Sequence, residues 1–415
     1  MRRIARMGAA GRRNDPAMMV GLLLYAYARG IRSSRVIERA CEEDVAFRVL
    51  AAQQRPDHAT IARFVERHQD AIAGLFGEVL TLCARSGLAQ VGVIAVDGTK
   101  LQANASRNEN LDYEQLAREI VEEAKAVDAA EDERYGEARG DELPEEFATA
   151  QGRRGWLREA RQRLEAERAA NPQPVLRSRP KRLKEAKRCL EEELWTEVRA
   201  NRAYEDYRAR GRMKDGRRFG RPPDPYRPPD TPEGRVNVTD PDSRVVKGLR
   251  GWMQGYNGQA VVNEHQVILA AEVETVGADF GHLEPMLDAA QCELAAAAGV
   301  TDTPEVLLAD AGYWHGEQME RIVDRGIQVL IPPDTSRRRT TRRNWDGGHY
   351  DFMRRVLATD RGGGLYRRRQ PMVESVFAQM KFNRGLDRFR RRGRGAVRAE
   401  WRLITATHNL LKLHR

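Results

Sequence analysis

The chain is poor in cysteine, and Cys41, Cys83, Cys189 and Cys292 lie far apart with no C-x-x-C pair. Its few histidines show no zinc-finger spacing. Neither a disulfide scaffold nor a structural zinc is expected, and a reducing cytoplasm is the natural setting. A long apolar run is also missing. The nearest approach, Met18 to Ala28, is too short to span a bilayer. With Arg2, Arg3, Arg12 and Arg13 before it and Ala26-Tyr27-Ala28 at its close, it imitates a secretory leader. Asp15-Pro16, however, is a good N-cap and first-turn pair and favours an ordinary helix of the folded protein. No membrane partner is expected.

Charge is abundant. Charged residues make up 32% of the chain against 41% hydrophobic, so a normal core is possible and the excess charge belongs on solvated elements or a binding surface. The formal net charge of +10 is unevenly spread. From Thr335 onward, 22 Lys/Arg face 6 Asp/Glu, and the remainder of the chain is mildly acidic. A basic tail on such a protein points to a localised polyanion site.

Residues 1–90 read as an all-helical domain. One helix runs from Pro16 to about Arg29, ended by Gly30, and a second follows Ser33-Ser34. A third starts near Thr60, where Ile61, Phe64, Val65, Leu75, Phe76, Val79 and Leu80 keep the spacing of one buried face. Gly87 suits its C-cap. Residues 107–235 read as a charged helical insertion, with Leu183, Ala186, Leu190, Leu194 and Val198 in helical register and a Pro/Arg-rich linker at its end. Around it, 91–106 and 236–415 read as an α/β core with one mixed sheet: strands at Val91–Val96, Gly258–Val262 and Val267–Val273, then alternating helices and strands.

Two of the apolar runs in this core end in an aspartate. Val91 to Val96 leads into Asp97-Gly98-Thr99-Lys100, and Val306 to Ala309 into Asp310-Ala311-Gly312-Tyr313. A glutamate, Glu374, follows on a helical stretch, Met372 to Lys381. Continuous β-branched and aliphatic runs are buried strands, and a carboxylate at a strand end faces a cleft. Three converging carboxylates are hard oxygen ligands of the kind that hold Mg²⁺ beside a phosphate. That chemistry suits phosphodiester cleavage in nucleic acid.

These segments, in this order, resemble bacterial insertion-sequence transposases of the DDE type. Val96 to Lys100 with Ala103 to Ser106 looks like the family's first-strand motif. Thr239 to Arg244 and Gln254 to Ala260 look like the region that follows. Leu308 to Tyr313 is similar to the second aspartate motif. Glu374 with Lys381 and Asn383-Arg384-Gly385 is similar to the glutamate helix, and Glu400 to Leu403 with His408 to Leu410 continues the likeness. Related sequences carry tyrosine and arginine seven and four residues before the glutamate, positions held here by Arg367 and Gln370.

The resemblance implies a ribonuclease-H-like core in which Asp97, Asp310 and Glu374 are both catalytic and metal-binding. It implies two Mg²⁺ ions, with Mn²⁺ able to substitute, and a reaction that cuts the element's ends and joins the 3′ ends to target DNA. The implied partners are double-stranded DNA, at the terminal inverted repeats and the target, and a second copy of the chain, in the nucleoid-associated cytoplasm. Lys381 lies two helical turns from Glu374, about 10 Å along the axis, where a phosphate contact and a plain surface lysine are both open readings. Arg384, Arg367, Arg368, Arg369, Arg390, Arg391 and Arg392 are expected along the DNA backbone. A catalytically impaired DNA-binding remnant and a metal-dependent nuclease on the same fold are the alternatives. Asp240 and Asp242 read as a turn, Gly362 to Gly364 as a flexible turn. His315 and His349 read as packing or hydrogen-bonding residues, Trp314 as core, and Trp345 as a possible stacking face.

Overall fold

A computed structural model describes residues 15–122, 178–210, 231–248, 251–275, 277–334 and 347–414. The basic residues before Asp15, the proline-rich 222–229 and Trp345 lie outside them. The chain forms two compact units, one of residues 1–107 and 242–415, the other of 108–241.

In the first unit the N-terminal region is helical, with α1 (Pro16–Ala28), α2 (Ser34–Glu43), α3 (Val45–Leu50), α4 (His58–Arg67) and α5 (Gln69–Arg85). Pro16 occupies the first turn of α1, although the Asp15 side chain makes no cap bond. Gly30 ends that helix at φ +77°, where a Cβ would stand 2.3 Å from the Arg384 carbonyl oxygen. The single helix expected after Thr60 is instead two, broken at His68. Asp57 caps α4 through the Thr60 N–H at 2.8 Å. The apolar faces of α1 and α5 converge on one core with Met19, Leu22, Leu23, Phe47, Phe76 and Leu80. Each such side chain contributes about 1.5–3 kcal/mol relative to exposure.

The sheet of this unit is mixed. Its strands are β1 (Val93–Gln102), β4 (Arg244–Gly248), β5 (Gly251–Asn263), β6 (Ile268–Glu274), β7 (Val306–Leu308) and β8 (Gln328–Leu330). They run in the order β4-β5-β1-β7-β8, with β6 also paired to β5. β1 is antiparallel to β5 and parallel to β7, and β7 is parallel to β8. Helices α7 (Leu283–Ala298) and α8 (Gly316–Asp324) link the parallel strands, as such crossovers require. Then come α9 (Gly348–Ala358), α10 (Asp360–Arg367), α11 (Arg369–Ala378), a π-helical turn (Gln379–Asn383) and α12 (Arg394–His414). The Gly362 to Gly364 stretch is therefore helical rather than a turn. Thr359 starts α10 by accepting the Gly362 N–H at 3.0 Å, a cap that offsets part of the glycines' poor propensity.

Helix α12 closes the core. Trp401 is buried and donates its indole N–H to the Gln259 carbonyl at 3.0 Å. Asn409 both accepts from the Ile268 N–H at 2.9 Å and donates to its carbonyl at 2.8 Å, covering the β6 edge as a neighbouring strand would.

The second unit contains β2 (Asn110–Leu111), a helical stretch at 113–122, α6 (Arg179–Arg210) and β3 (Val236–Asn237), with β2 and β3 antiparallel. Leu183, Ala186 and Leu190 of α6 bury against Leu116, Val236 and Val238, as their helical spacing predicts. The Asn237 side chain accepts the Thr239 and Asp240 N–H groups, both at 3.0 Å, which makes that stretch a turn. Among the described residues, no helix is long and apolar enough to cross a membrane.

Candidate active site

Asp97 lies within β1 rather than at its end. Residues 93–96 are buried, and burial relaxes at Asp97 and Gly98 as the strand leaves the core. β1 pairs with β7 in the register Ala95 to Leu308, so two residues further on Asp97 comes level with Asp310, just beyond β7. Asp310 opens a short 3₁₀ turn by accepting the Gly312 N–H at 2.8 Å. The parallel register thus brings together two of the three expected carboxylates across 213 residues of sequence.

A guanidinium sits against this pair. Arg369, at the start of α11, donates to the Asp97 carboxylate at 2.7 Å. Burial raises the nearby Tyr366 phenol, against the pull of Arg369. Burial pushes the Asp97 carboxyl up to about 6, against the opposing pull of Arg369 and with a further push from Asp310. The site therefore concentrates negative charge in a poorly solvated place and meets it with one fixed cation. Tyr366 and Arg369 each precede by one residue the positions where relatives carry tyrosine and arginine.

Glu374 is not with the aspartates. It stands exposed on α11 and accepts from Gln370 at 3.1 Å, an i,i+4 contact along the helix surface. Arg369 and Glu374 are five residues apart, about 140° around a helix. With Arg369 on Asp97, Glu374 therefore lies on another side of α11 in this structure. Among the described residues, no group of three His, Cys, Asp or Glu side chains lies close enough to hold a metal ion.

The opposite face of β1 carries a polar raft that the sequence did not reveal. Asp279 accepts from Lys100 at 3.1 Å, Asn257 at 2.8 Å and Gln259 at 2.9 Å, all on one carboxylate oxygen. Tyr313 donates its hydroxyl to Gln259, and its phenol is raised well above the usual range by burial and then by Asp279, Asp97 and Asp310. Gly98 makes room for the raft: a Cβ there would stand 2.5 Å from both Asp279 and Gln259. The only sequence signal was the alternation Lys100/Gly98 opposite Asn257/Gln259, which the β1–β5 pairing sets on one face.

The basic residues divide by environment. Lys381 donates to the Thr99 hydroxyl at 3.0 Å and the Lys100 carbonyl at 2.9 Å, bolting the π-helical turn to β1, and burial lowers its ammonium. Arg384 is buried and donates to Thr407 at 2.9 Å, where burial brings it down to about 10. Both side chains are spent on internal contacts in this arrangement. Arg368 pairs with Glu264. Arg367, Arg390 and Arg392 are exposed, and Arg391 donates to the Val65 carbonyl and to Gln69, both at 3.1 Å. Trp314 is buried and stacks on Tyr350 at 5.0 Å. His315 caps α8 and stacks on Phe280, while His349 is exposed.

Comparison with known proteins adds two matches. A transposase DDE domain model matches residues 333–414, which include Glu374, and a transposase domain model (DUF772) matches residues 4–67. No curated protein and no solved structure matches the chain. A transposase-domain match at one end and a DDE-domain match at the other, flanking a mixed sheet with two adjoining aspartates, indicate an insertion-sequence DDE transposase.

Proposed function

We propose that this transposase cuts phosphodiester bonds at the ends of its insertion sequence and joins the freed 3′ ends to target DNA, with Asp97, Asp310 and Glu374 as catalytic carboxylates on a ribonuclease-H-like core. The observation that carries this is the level pairing of Asp97 with Asp310 on adjacent parallel strands, with the cationic Arg369 held between helix and sheet. The strand order supports the fold reading: an antiparallel β6-β5-β1 half continues into parallel β7 and β8.

Two of the three proposed donors suit a divalent ion. Two hard carboxylates adjoin in a poorly solvated place, and a positive group already stands against Asp97. Asp97 and Asp310 would hold Mg²⁺ or Mn²⁺, with Glu374 as the third ligand. Bound there, a pair of such ions would supply Lewis-acid activation of the attacking oxygen and charge stabilisation of the leaving one. The chain's own residues do the rest. Gly312 N–H orients Asp310, and Arg369 orients Asp97. Lys381 and the raft around Asp279 fix β1 from its two faces, and the exposed arginines hold DNA backbone. Action as a dimer on DNA in the nucleoid-associated cytoplasm belongs to the same proposal. One observation favours the alternative of a catalytically impaired DNA-binding remnant: Glu374 stands apart from the aspartates.

The test uses DNA duplexes carrying the element's ends. The wild-type chain should nick them with Mg²⁺ or Mn²⁺, and Asp97→Asn should bind them without cutting. Cleavage by Asp97→Asn at the wild-type rate would overturn the assignment, and binding without cleavage by the wild type would establish the remnant.

A further inference from the structure

The arginine run after Phe389 has no carboxylate partner. Arg321, Arg325, Arg354, Arg394 and Arg398 each pair with an acidic side chain. Arg390, Arg391 and Arg392 have no such ion pair among the described residues. The Arg390 guanidinium bonds nothing described, and Arg392 spends only its Nε–H, on the Asn104 carbonyl at 2.8 Å.

The backbone beneath them is clamped. Glu400, only 2% exposed, accepts the Arg390 N–H at 2.9 Å and the Arg391 N–H at 3.0 Å. Arg32 stands 3.6 Å from the same carboxylate and donates to the carbonyls of Arg388 and of Gly385. The end of β1 adds two more bonds, Gln102 N–H to Asp387 at 3.1 Å and Phe389 N–H to Gln102 at 2.8 Å. Arg391 is held by Val65 and Gln69, whereas the exposed guanidinium groups of Arg390 and Arg392 repel each other with no carboxylate paired to either. A loop ordered in advance also loses little entropy when a polyanion arrives.

The arginines line a groove of about 590 Å³ together with the hydroxyl-bearing Ser33 and Ser34 and with Asn104; Glu66 is its one acidic lining residue. Asn104 lies two residues beyond the end of β1 and seven after Asp97, at most roughly 23 Å away at ~3.3 Å per extended residue. One strand of B-form DNA covers such a span in about seven nucleotides at ~3.4 Å each. We propose that this groove seats the DNA sugar–phosphate backbone within about seven nucleotides of the bond at the aspartates, with Arg390 and Arg392 as phosphate contacts. Glu400 and Arg32 are its positioning residues. This rests on the DNA-cutting reading of the aspartate pair.

The experiment measures how affinity for a generic DNA duplex falls with salt, for the wild type and for the double variant Arg390→Gln/Arg392→Gln. Both positions are exposed, and thermal unfolding checks that the variant folds. Removing two phosphate contacts should make the slope of log affinity against log salt shallower by roughly two units. In a duplex carrying an element end, ethylating phosphates within about seven nucleotides of the cut should weaken binding by the wild type, with little effect on the variant. An unchanged slope in a folded variant would overturn the groove while leaving the cleavage reading intact. A loss confined to single-stranded DNA would overturn it equally. If the wild type shows no salt-dependent binding to any duplex, the DNA-cutting reading falls with it.

Discussion

Arg369 holds Asp97 at 2.7 Å although 272 residues separate them. That contact joins the first strand of the sheet to the helix carrying Glu374. Arg369 opposes the upward push of burial on Asp97. In Arg369→Ala, the Asp97 carboxyl should therefore titrate still higher than about 6. A carboxyl-carbon NMR titration of both proteins checks this, and a downward shift would show that the contact does not form.

The same carboxyl sets a pH dependence of stability. Its folded value near 6 exceeds the ordinary 3.8, so between these the folded chain binds more protons than the unfolded one. This contribution is fully favourable below the ordinary value and is lost as pH rises through 6. Two units correspond to about 3 kcal/mol at most. Urea unfolding should accordingly show a decline in stability over that window that is absent in Asp97→Asn. Matching profiles would count against a strongly desolvated Asp97.

Glu374 should separate stability from catalysis. It is exposed and makes only a surface contact with Gln370, so Glu374→Gln should change unfolding free energy by no more than about 0.5 kcal/mol. Cleavage of element-end DNA should nonetheless disappear. Full cleavage by this variant would remove Glu374 from the catalytic set.

Gly30 and Gly87 provide a matched pair. Both have positive φ, but a Cβ at Gly30 meets the Arg384 carbonyl at 2.3 Å, while Gly87 faces open space. Gly87→Ala should cost about 1–2 kcal/mol from backbone strain alone. Gly30→Ala adds a backbone clash and should cost clearly more, in urea unfolding of the two variants. Equal losses would mean that the α1 end yields to relieve the clash.

Glu400 should matter to the fold more than any exposed acid. Its buried carboxylate serves two backbone N–H groups and stands beside Arg32. Glu400→Ala leaves those groups unsatisfied, and a loss of about 3–5 kcal/mol is expected. Glu400→Gln retains an acceptor and should lose less. The order of the two variants in chemical denaturation is the check.

Elements with a strong local signal were legible in the sequence. Val91 to Val96 and Val306 to Leu308 read as buried strands because they are continuous apolar runs, and the first helix was bounded by Pro16 and Gly30. Boundaries set by long-range pairing were not. β1 continues to Gln102 because β5 pairs with it through Gly255, so Asp97 lies inside the strand. The helical state of Gly362 to Gly364 goes with a cap by Thr359 and with the close approach of Gly362 to the Val356 carbonyl, neither of which composition reveals.

The sequence by itself determined the residue chemistry: two aspartates after apolar runs, a glutamate in a helical stretch and a basic tail, in an order shared with a family. Side-chain type and local periodicity are properties of the chain, so they survive without coordinates. Only the tertiary structure decided which of those groups meet. Strand register set Asp97 level with Asp310. Helical phase turned Arg369 toward them and left Glu374 outside. Burial committed Lys381 and Arg384 to internal bonds while Arg390 and Arg392 stayed exposed. Each of these depends on contacts across hundreds of residues, and a one-residue change of phase is enough to reverse it.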